Sequence, residues 1–424
     1  MTASRPAADS PPTTAEPPPP APGRLWAGRE YRGLWAAWAV TLLGDQLARV
    51  ALVLLVFTAT GSPAAAAAAY AVTLLPALAG GPLLSGLADR YPRRTVMVCC
   101  DLASAVLTAA LALPGLPLPV LFALVFAVTL LASPFTAARS SLVRDLFPDD
   151  ARYAAATAVS TLTYRASMVA GFAAGGLLVA GLGARPALLA DAASFAVSAV
   201  VVRLTVTARP AAAAGRAHAG YLGELAAGAR LVFGDRRLRT LTCYAWLATF
   251  HVAPAAVVAP YAAGHGGGPV TVGVLLSAWI AGSGLSMTLI TRIREPRQQM
   301  RLLAPLAVLA AAPLAACTLD PSPPVTALLW AVSGAGTGYQ LAANTAFVAA
   351  VPNHRRGQAF GLVSTGLLTG QGAALLLAGA LTEHLGPATV LAGSGLAGTL
   401  AALTLAAHPT RHAALTSPAT GVSG

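Results

Sequence analysis

The chain has 424 residues, of which 56% are hydrophobic and only 10% are charged, and its mean hydropathy is +0.68. Soluble proteins average about 25% charged residues, so this chain cannot cover a globule with charge, and an ordinary cytosolic enzyme is excluded. The formal net charge is +12, and all 27 basic residues are arginine. The four cysteines lie in apolar stretches without the spacing of a disulfide framework or a zinc site, so we expect no bound metal.

The first 30 residues are predicted to be a disordered tail. Their run of four prolines and their many Ala, Thr and Ser residues show no apolar periodicity. They also lack the apolar core of a cleavable signal peptide. Residues 1–30 are therefore assigned to an N-terminal tail, and residues 408–424 to a C-terminal tail.

Twelve apolar runs lie between the tails, and each is close to the roughly 20 residues that a helix needs to cross a bilayer. The predicted spans are 34–57, 63–87, 95–113, 118–138, 155–182, 186–204, 238–262, 269–291, 299–319, 324–349, 358–382 and 386–407. Backbone groups in a bilayer must satisfy one another, and these runs are too long for the strands of a β-barrel. The predicted fold class is therefore an all-α membrane protein with twelve transmembrane helices.

The arginines predict the orientation of the spans. Of the 27 arginines, 24 lie in the tails, in the connections or at the span ends on one side of the twelve spans, whereas Arg185 alone lies on the other side. Because cytoplasmic loops are enriched in basic residues, we expect a multi-pass protein of the inner (plasma) membrane with both termini in the cytoplasm. The excess positive charge on that face suits anionic lipid headgroups, and it does not require a nucleic-acid partner.

The longest internal connection, residues 205–237, divides the spans into two halves of six, 31–204 and 238–407. Within this connection, Glu224 to Arg239 is predicted to form an amphipathic helix on the membrane face. A short motif after span 4 recurs weakly about 204 residues later, after span 10. Two six-helix pseudo-repeats are typical of transporters that bind substrate near the midplane between the halves.

The connection between spans 2 and 3 carries the sequence SGLADRYPRR at residues 85–94. Ordinary flanking of a cytoplasmic loop explains its arginines, but it does not explain Asp89. The segment resembles the signature loop of the major facilitator superfamily, with Ser85 and Pro92 in place of two glycines. The resemblance implies the major facilitator fold and a loop that gates by contact with a helix N-terminus of the other half. The gating residues that it implies are Asp89, Arg90, Arg93 and Arg94.

Span 5 contains three glycines, Gly171, Gly175 and Gly176, spaced so that another helix can pack closely against them. The segment resembles the glycine motif of the drug-exporting antiporter branch of the superfamily, with Phe172 where that motif has proline. Close helix packing alone also explains these glycines, so the motif by itself does not establish export.

Four other segments resemble bacterial exporters of the enterobactin and macrolide efflux type. They are Leu43 to Gln46, Ala138 to Pro148, Leu189 to Phe195 and Arg356 to Gly361. This resemblance implies export, and it names no substrate.

Two predicted spans carry charges near their centres: Asp45 in span 1 and Arg165 in span 5. A charge there costs at least about 2.5–3.5 kcal/mol on insertion scales. Arg49 follows Asp45 by one turn, so one interpretation is a structural ion pair between the two. The alternative is that Asp45 carries the transported proton and that Arg49 or Arg165 tunes its proton affinity by proximity.

Other polar residues within the spans are weaker candidates. Asp101 is interpreted as structural, near the start of span 3, whereas Asp191 either lines the cavity or pairs with Arg185. Further side chains can bind substrate or can join neighbouring helices. They are Gln340, Asn344, Gln371 and the isolated His251.

The chain contains no lysine and therefore no P-loop, which excludes an ATPase of that type. We predict a monomeric secondary transporter that needs no cofactor, draws on the proton gradient and exports a moderately apolar small molecule by alternating access. The alternatives are an importer or facilitator of the same fold, and a non-transporting scaffold or receptor. An enzyme is not expected, because the sequence has no acidic metal-binding pair and no nucleophile with a base nearby.

Overall fold

The computed structural model describes residues 25–74, 76, 90–209, 221–293, 295–352 and 355–407, and this part of the chain is helical and contains no strand. The helices of the N-terminal half are α1 Arg29–Thr60, α2 Pro63–Val72, α3 Arg93–Leu111, α4 Leu118–Leu146, α5 Asp150–Leu182 and α6 Ala184–Thr205. The helices that follow are α7 Tyr221–Gly234, α8 Arg236–Trp246, α9 Ala253–Gly264, α10 Pro269–Arg292, α11 Pro296–Arg301, α12 Leu303–Ala315, α13 Pro323–Gly336, α14 Tyr339–Ala350, α15 Arg356–Leu385 and α16 Pro387–Ala407.

The helices confirm the predicted all-α membrane fold class. Among the described residues, nine helical segments are long and apolar enough to cross a membrane, one of them continuous from α8 through α9. Span 2 begins with α2, although residues 77–89 lie outside the described residues. Span 9 is the apolar segment Leu303–Leu319, and span 10 consists of α13 and α14. The nine long segments and spans 2, 9 and 10 together correspond to the twelve predicted spans.

Spans 7 and 10 are each broken within their length. In span 7, a 3₁₀ segment, Leu247–Val252, separates α8 from α9, whose first turn contains Pro254. Proline has no N–H group to continue the α-helical ladder, which disfavours an unbroken helix at this point. In span 10, the Thr337 hydroxyl donates to the Gly334 carbonyl at 2.7 Å and contacts the Ser283 hydroxyl at 2.9 Å. The hydrogen bond to Ser283 links the residues at the break to α10.

The connection between the halves differs from the single helix predicted from Glu224 to Arg239. Helix α7 ends at Gly234, and α8 begins at Arg236. The physical reason is Asp235, whose carboxylate accepts hydrogen bonds from the N–H groups of Arg237 and Leu238 at 2.7 and 2.9 Å. An N-cap of this kind satisfies the free donors of a new helix. Asp235, which lies within the predicted helix, is therefore the residue in the sequence that indicates a second helix.

An ion pair fixes the start of α1 to the segment after α6. The Arg209 guanidinium donates to both carboxylate oxygens of Glu30, at 2.6 and 2.9 Å. The same carboxylate accepts a hydrogen bond from the Thr207 N–H at 3.1 Å. The hydrogen bonds to Glu30 raise the pKa of Arg209 above its usual value. Two parallel bonds also hold the geometry more firmly than one.

Buried apolar residues form three clusters, which show how the halves meet. We call the two ends of the bundle arginine-rich and arginine-poor, after the predicted connections at each end. The largest cluster joins both halves, with members such as Leu52 and Ala67 in the first half and Val257 and Leu275 in the second. The other two clusters lie at the arginine-rich end, one within each half. The halves therefore share one core toward the arginine-poor end and have separate cores at the other.

Helix pairs α5–α10 and α2–α15 make the close contacts between the halves. Gly176 and Gly273 face each other so closely that a Cβ added to Gly176 would lie 3.0 Å from the Gly273 Cα. The Ser277 hydroxyl donates to the Val169 carbonyl at 3.1 Å. Gly379 packs against Ala67. Small residues allow such close helix packing, and these contacts hold the arginine-poor end together.

At the arginine-poor end, the Ser62 hydroxyl also donates to the Glu383 carboxylate at 2.5 Å, and this hydrogen bond is exposed. We expect Glu383→Ala to shift the conformational equilibrium about two- to threefold toward opening of this end, because an exposed charged hydrogen bond contributes modestly. Distances between spin labels on α2 and α15 measure the shift. An unchanged distance distribution would show that this bond does not hold the halves together.

Candidate functional site

Helix α1 places Asp45 near the middle of its 32 residues, on the wall of a cavity within the N-terminal half. Gly44 brings α6 close to this point, because a Cβ added there would collide with the side chains of Asp191 and Ser194. The Asp45 carboxylate has no hydrogen bond or ion pair with any described residue. An unpaired carboxylate at this depth is costly unless it is protonated or bound by a ligand.

Two more carboxylates line the same cavity, and both are deeply buried. Asp101 on α3 is 3% exposed, and Asp191 on α6 is 2% exposed. The Ser198 hydroxyl donates to one oxygen of Asp101 at 2.6 Å, and the Ser194 hydroxyl donates to one oxygen of Asp191 at 3.2 Å. The second oxygen of each accepts no hydrogen bond from the described residues. Three helices thus bring three aspartates to one cavity.

Arg49 is the basic side chain on this cavity wall, and it does not pair with Asp45. Among the described residues, no carboxylate oxygen lies within 4.0 Å of its guanidinium. Instead, Arg49 donates to the Gln46 side-chain oxygen at 3.5 Å and lies 6.0 Å from the centre of the Tyr70 ring. The structure therefore does not form the ion pair that the one-turn spacing allows.

The cavity has a volume of about 610 Å³, and four helices of the N-terminal half, α1, α3, α4 and α6, supply most of its wall. This volume is typical of sites for drug-sized molecules. Its apolar wall residues include Leu42, Leu52, Leu111, Val125, Phe135, Leu188 and Phe195. At its arginine-rich end, the Arg139 guanidinium stacks 3.7 Å from the centre of the Trp38 ring. The cavity therefore combines a mainly apolar wall with a few polar groups.

The remaining predicted cavity residues lie elsewhere. Arg165 on α5 is partly exposed, and its buried Nε has no hydrogen-bond partner among the described residues. Gln340 and Asn344 lie on α14, and Gln371 lies on α15, all in the C-terminal half. None of these four side chains lines the N-terminal cavity. His251 is 2% exposed in the 3₁₀ segment of span 7, and neither of its ring nitrogens has a partner in the described part of the chain.

Of the predicted gating loop, Asp89 lies outside the described residues. Arg93 forms an ion pair with Asp145, which joins the start of α3 to the end of α4. Arg90 is exposed, and Arg94 is partly exposed. The described part of the loop therefore contributes a link between two helices at the arginine-rich end.

The three predicted packing glycines face two different helices. Gly171 and Gly175 lie against α1, where an added Cβ would reach Leu43 O at 3.0 Å and Leu47 Cα at 3.2 Å. Gly176 faces α10 and the other half. The motif thus positions α5 between the helix that carries Asp45 and the opposite half.

Asp101 is the cavity residue that sequence reasoning interpreted as structural. Its hydrogen bond to Ser198 is structural, but the side chain also lines the cavity. A signal was present in the sequence, because Asp101, Ser104 and Thr108 recur at helical spacing and line one wall together. A polar stripe of this kind on a membrane helix indicates a cavity or a neighbouring polar helix.

A bundle of twelve helical spans in two halves, with a mainly apolar cavity that carries a few polar groups, is the architecture of a membrane transporter. The sequence profile of the Major Facilitator Superfamily matches residues 34–338 and 241–421. The chain belongs to this superfamily, whose members transport solutes and are generally not enzymes.

Solved transporters share the fold at low sequence identity. The nucleoside transporter NupG aligns at 14% identity with a TM-score of 0.70, covering 88% of this chain and 98% of its own. A POT family transporter in complex with 5-aminolevulinic acid aligns at 15% identity with a TM-score of 0.70, covering 91% of this chain and 97% of its own. No curated protein sequence matches the chain. Identities this low show the fold and do not show the substrate.

Proposed function

We propose that this protein is a proton-coupled exporter of a moderately apolar small molecule and that it works by alternating access. The observation that carries the proposal is Asp45, a carboxylate without a partner among the described residues, in the middle of a membrane span and on the wall of a largely apolar cavity. A structural scaffold has no need of such a costly group.

Alternating access is supported by the unequal ends of the bundle. The halves share one apolar core toward the arginine-poor end and have separate cores at the arginine-rich end. Rocking the halves would break the contact of Gly176 with Gly273 and would bring the two separate cores together. In this proposal, the described conformation would be one of the two states that such a cycle requires.

Proton coupling follows from the cost of the Asp45 charge. When the carboxylate is ionised, it favours a conformation that gives it water or a cation. When it is protonated, it tolerates a closed, apolar environment. A proton on Asp45 therefore changes the relative free energies of the two states, as coupling requires. The proton gradient is the proposed driving force, and no cofactor takes part.

The proposed direction of transport and the proposed location of the protein rest on the arginines and on the resemblance to exporters. If the arginine-rich face is cytoplasmic, both termini lie in the cytoplasm of a cell with the protein in its inner (plasma) membrane. The separated cores then face the cytoplasm, where an exporter takes up its substrate. Anionic lipid headgroups would contact this face, and each monomer would contain a complete cavity.

The test is a panel of toxic compounds applied to a pump-deficient host that expresses wild-type protein or Asp45→Asn. We expect the wild type to raise the minimum inhibitory concentration of at least one apolar compound and the variant to lose that protection at equal membrane abundance. Everted vesicles acidified inside then give the direction. Accumulation of the compound supports export, whereas proton-driven release indicates an importer. The absence of any effect across the panel would favour a scaffold.

A further inference from the structure

The charges of the cavity do not balance. Three carboxylates line it, those of Asp45, Asp101 and Asp191, against the single guanidinium of Arg49. Of the six carboxylate oxygens, two accept a hydrogen bond from a described residue. Arg139 lies nearby, but it stacks on the outer part of the wall at Trp38 and does not line the cavity. Buried negative charge of this kind requires protons or a positively charged ligand.

We propose, on the basis of the function proposed above, that the transported molecule is an organic cation with an apolar body and that it binds to these three aspartates in competition with protons. Its positive group would approach Asp45, whose carboxylate has no other described partner. Its apolar body would lie against the leucine and phenylalanine side chains of the wall. The volume of about 610 Å³ accommodates a drug-sized body.

An anion fits this cavity poorly. It would meet three carboxylates and one guanidinium, which already donates to Gln46. Like charges placed together disfavour the wrong ligand, and such repulsion contributes to specificity alongside attraction. A neutral molecule would leave the carboxylates to be protonated. The cation is therefore the charge class that the cavity favours.

Competition between the cation and protons for one site also couples the movement of the cation to the movement of protons across the membrane. Protons that bind the aspartates remove the charge that holds the cation, and the cation that binds excludes the protons. On each side of the membrane, the cavity can then exchange the cation for protons, and no second site is needed. The other titratable or charged side chains around the cavity are Arg49, Tyr70, Cys100, Tyr164 and, at its edge, Arg139.

Two probes of nearly the same shape and opposite charge test the proposal: tetraphenylphosphonium and tetraphenylborate. Their binding to the purified full-length protein in detergent is measured by calorimetry at about pH 8 and about pH 5. We expect saturable binding of the phosphonium that weakens about tenfold or more at the lower pH, and no saturable binding of the borate. Saturable binding of the borate alone would overturn the proposal.

Variants localise the binding. We expect Asp45→Asn to weaken phosphonium binding about tenfold and Asp45→Glu to restore most of it, because the charge is kept. Asp320→Asn is the matched control, since Asp320 is an exposed carboxylate outside the cavity, with His265 as its partner at 3.2 Å. Wild-type phosphonium affinity in Asp45→Asn, Asp101→Asn and Asp191→Asn would overturn the proposal, provided that each variant elutes as the wild type does.

The binding assay uses no gradient, so its result is separate from the test of transport. If the phosphonium does not bind but the host is still protected from neutral compounds in an Asp45-dependent way, the substrate class is wrong and the proton-coupled exporter stands. If the phosphonium binds in an Asp45-dependent way but no gradient-driven flux occurs, the ligand class stands and the proposed function is wrong.

Discussion

Asp45→Asn is expected to abolish gradient-driven transport while the protein still inserts and folds. Asparagine has nearly the same shape as aspartate, but it cannot carry a negative charge or exchange a proton at neutral pH. Because the Asp45 carboxylate has no described partner, its replacement breaks no ion pair or hydrogen bond of the fold. The measurement is substrate flux into everted vesicles or proteoliposomes under an imposed pH gradient, together with counterflow at equal pH on both sides.

The two readouts separate coupling from binding and movement. If Asp45 carries the proton, a substrate supplied at saturating concentration should continue to exchange by counterflow in the variant while uphill transport is lost. Asp320→Asn serves again as the control and should transport as the wild type does. Full gradient-driven transport by Asp45→Asn would remove this residue from the coupling mechanism.

Gly273→Ala is expected to destabilise the closed arginine-poor end strongly. A Cβ at this position would lie 2.6 Å from the Phe172 carbonyl oxygen and 3.0 Å from the Gly176 Cα. Both are backbone atoms, so α5 and α10 must move apart. Overpacking of this kind costs typically about 1–3 kcal/mol. The cost falls on the conformation that contains the contact, so the equilibrium should shift toward the state with this end open.

Thermal unfolding in detergent and spin-label distances between α5 and α10 measure these effects. Gly284→Ala is the matched control on the same helix, because a Cβ added there meets nothing within 4 Å. We expect the control to keep the wild-type Tm and distances. An equal Tm and an equal distance distribution for Gly273→Ala would mean that the helices separate here at no cost, and that the contact does not hold the halves together.

The fold was predictable because the bilayer leaves a long apolar run few alternatives to a helix. The breaks in spans 7 and 10 were not predictable from hydropathy, which counts apolar residues and is insensitive to backbone geometry. Pro254 and the glycines around Thr337 are the local causes, but similar prolines and glycines lie inside unbroken helices. Pro134, for example, lies within α4. Whether a proline breaks a helix depends on the partners available to the freed carbonyl groups.

Part of the candidate site was predictable, and its limits have a physical cause. Asp45, Arg49 and Asp191 are predictable because each is a charged residue inside an apolar run. Asp101 lies near a cluster of arginines in the sequence, which predicts a structural role and not a cavity position. The sequence also predicts that Arg165 and the polar residues of spans 10 and 11 belong to the cavity, although they lie on helices that do not supply its wall. Hydropathy gives the depth of a residue in the membrane, and packing decides which residues at the same depth meet.

The crossing of α5 and α10 at Gly176 and Gly273 divides α5 into two arms of unequal length. Between Gly176 and the first residue of α5, Asp150, the helix rises ~39 Å, whereas beyond Gly176 it continues for only ~9 Å. A tilt of about 10° at this crossing would therefore carry Asp150 by ~7 Å and the short arm by less than ~2 Å. The start of α5, at the arginine-rich end, therefore moves several times farther than its arginine-poor end.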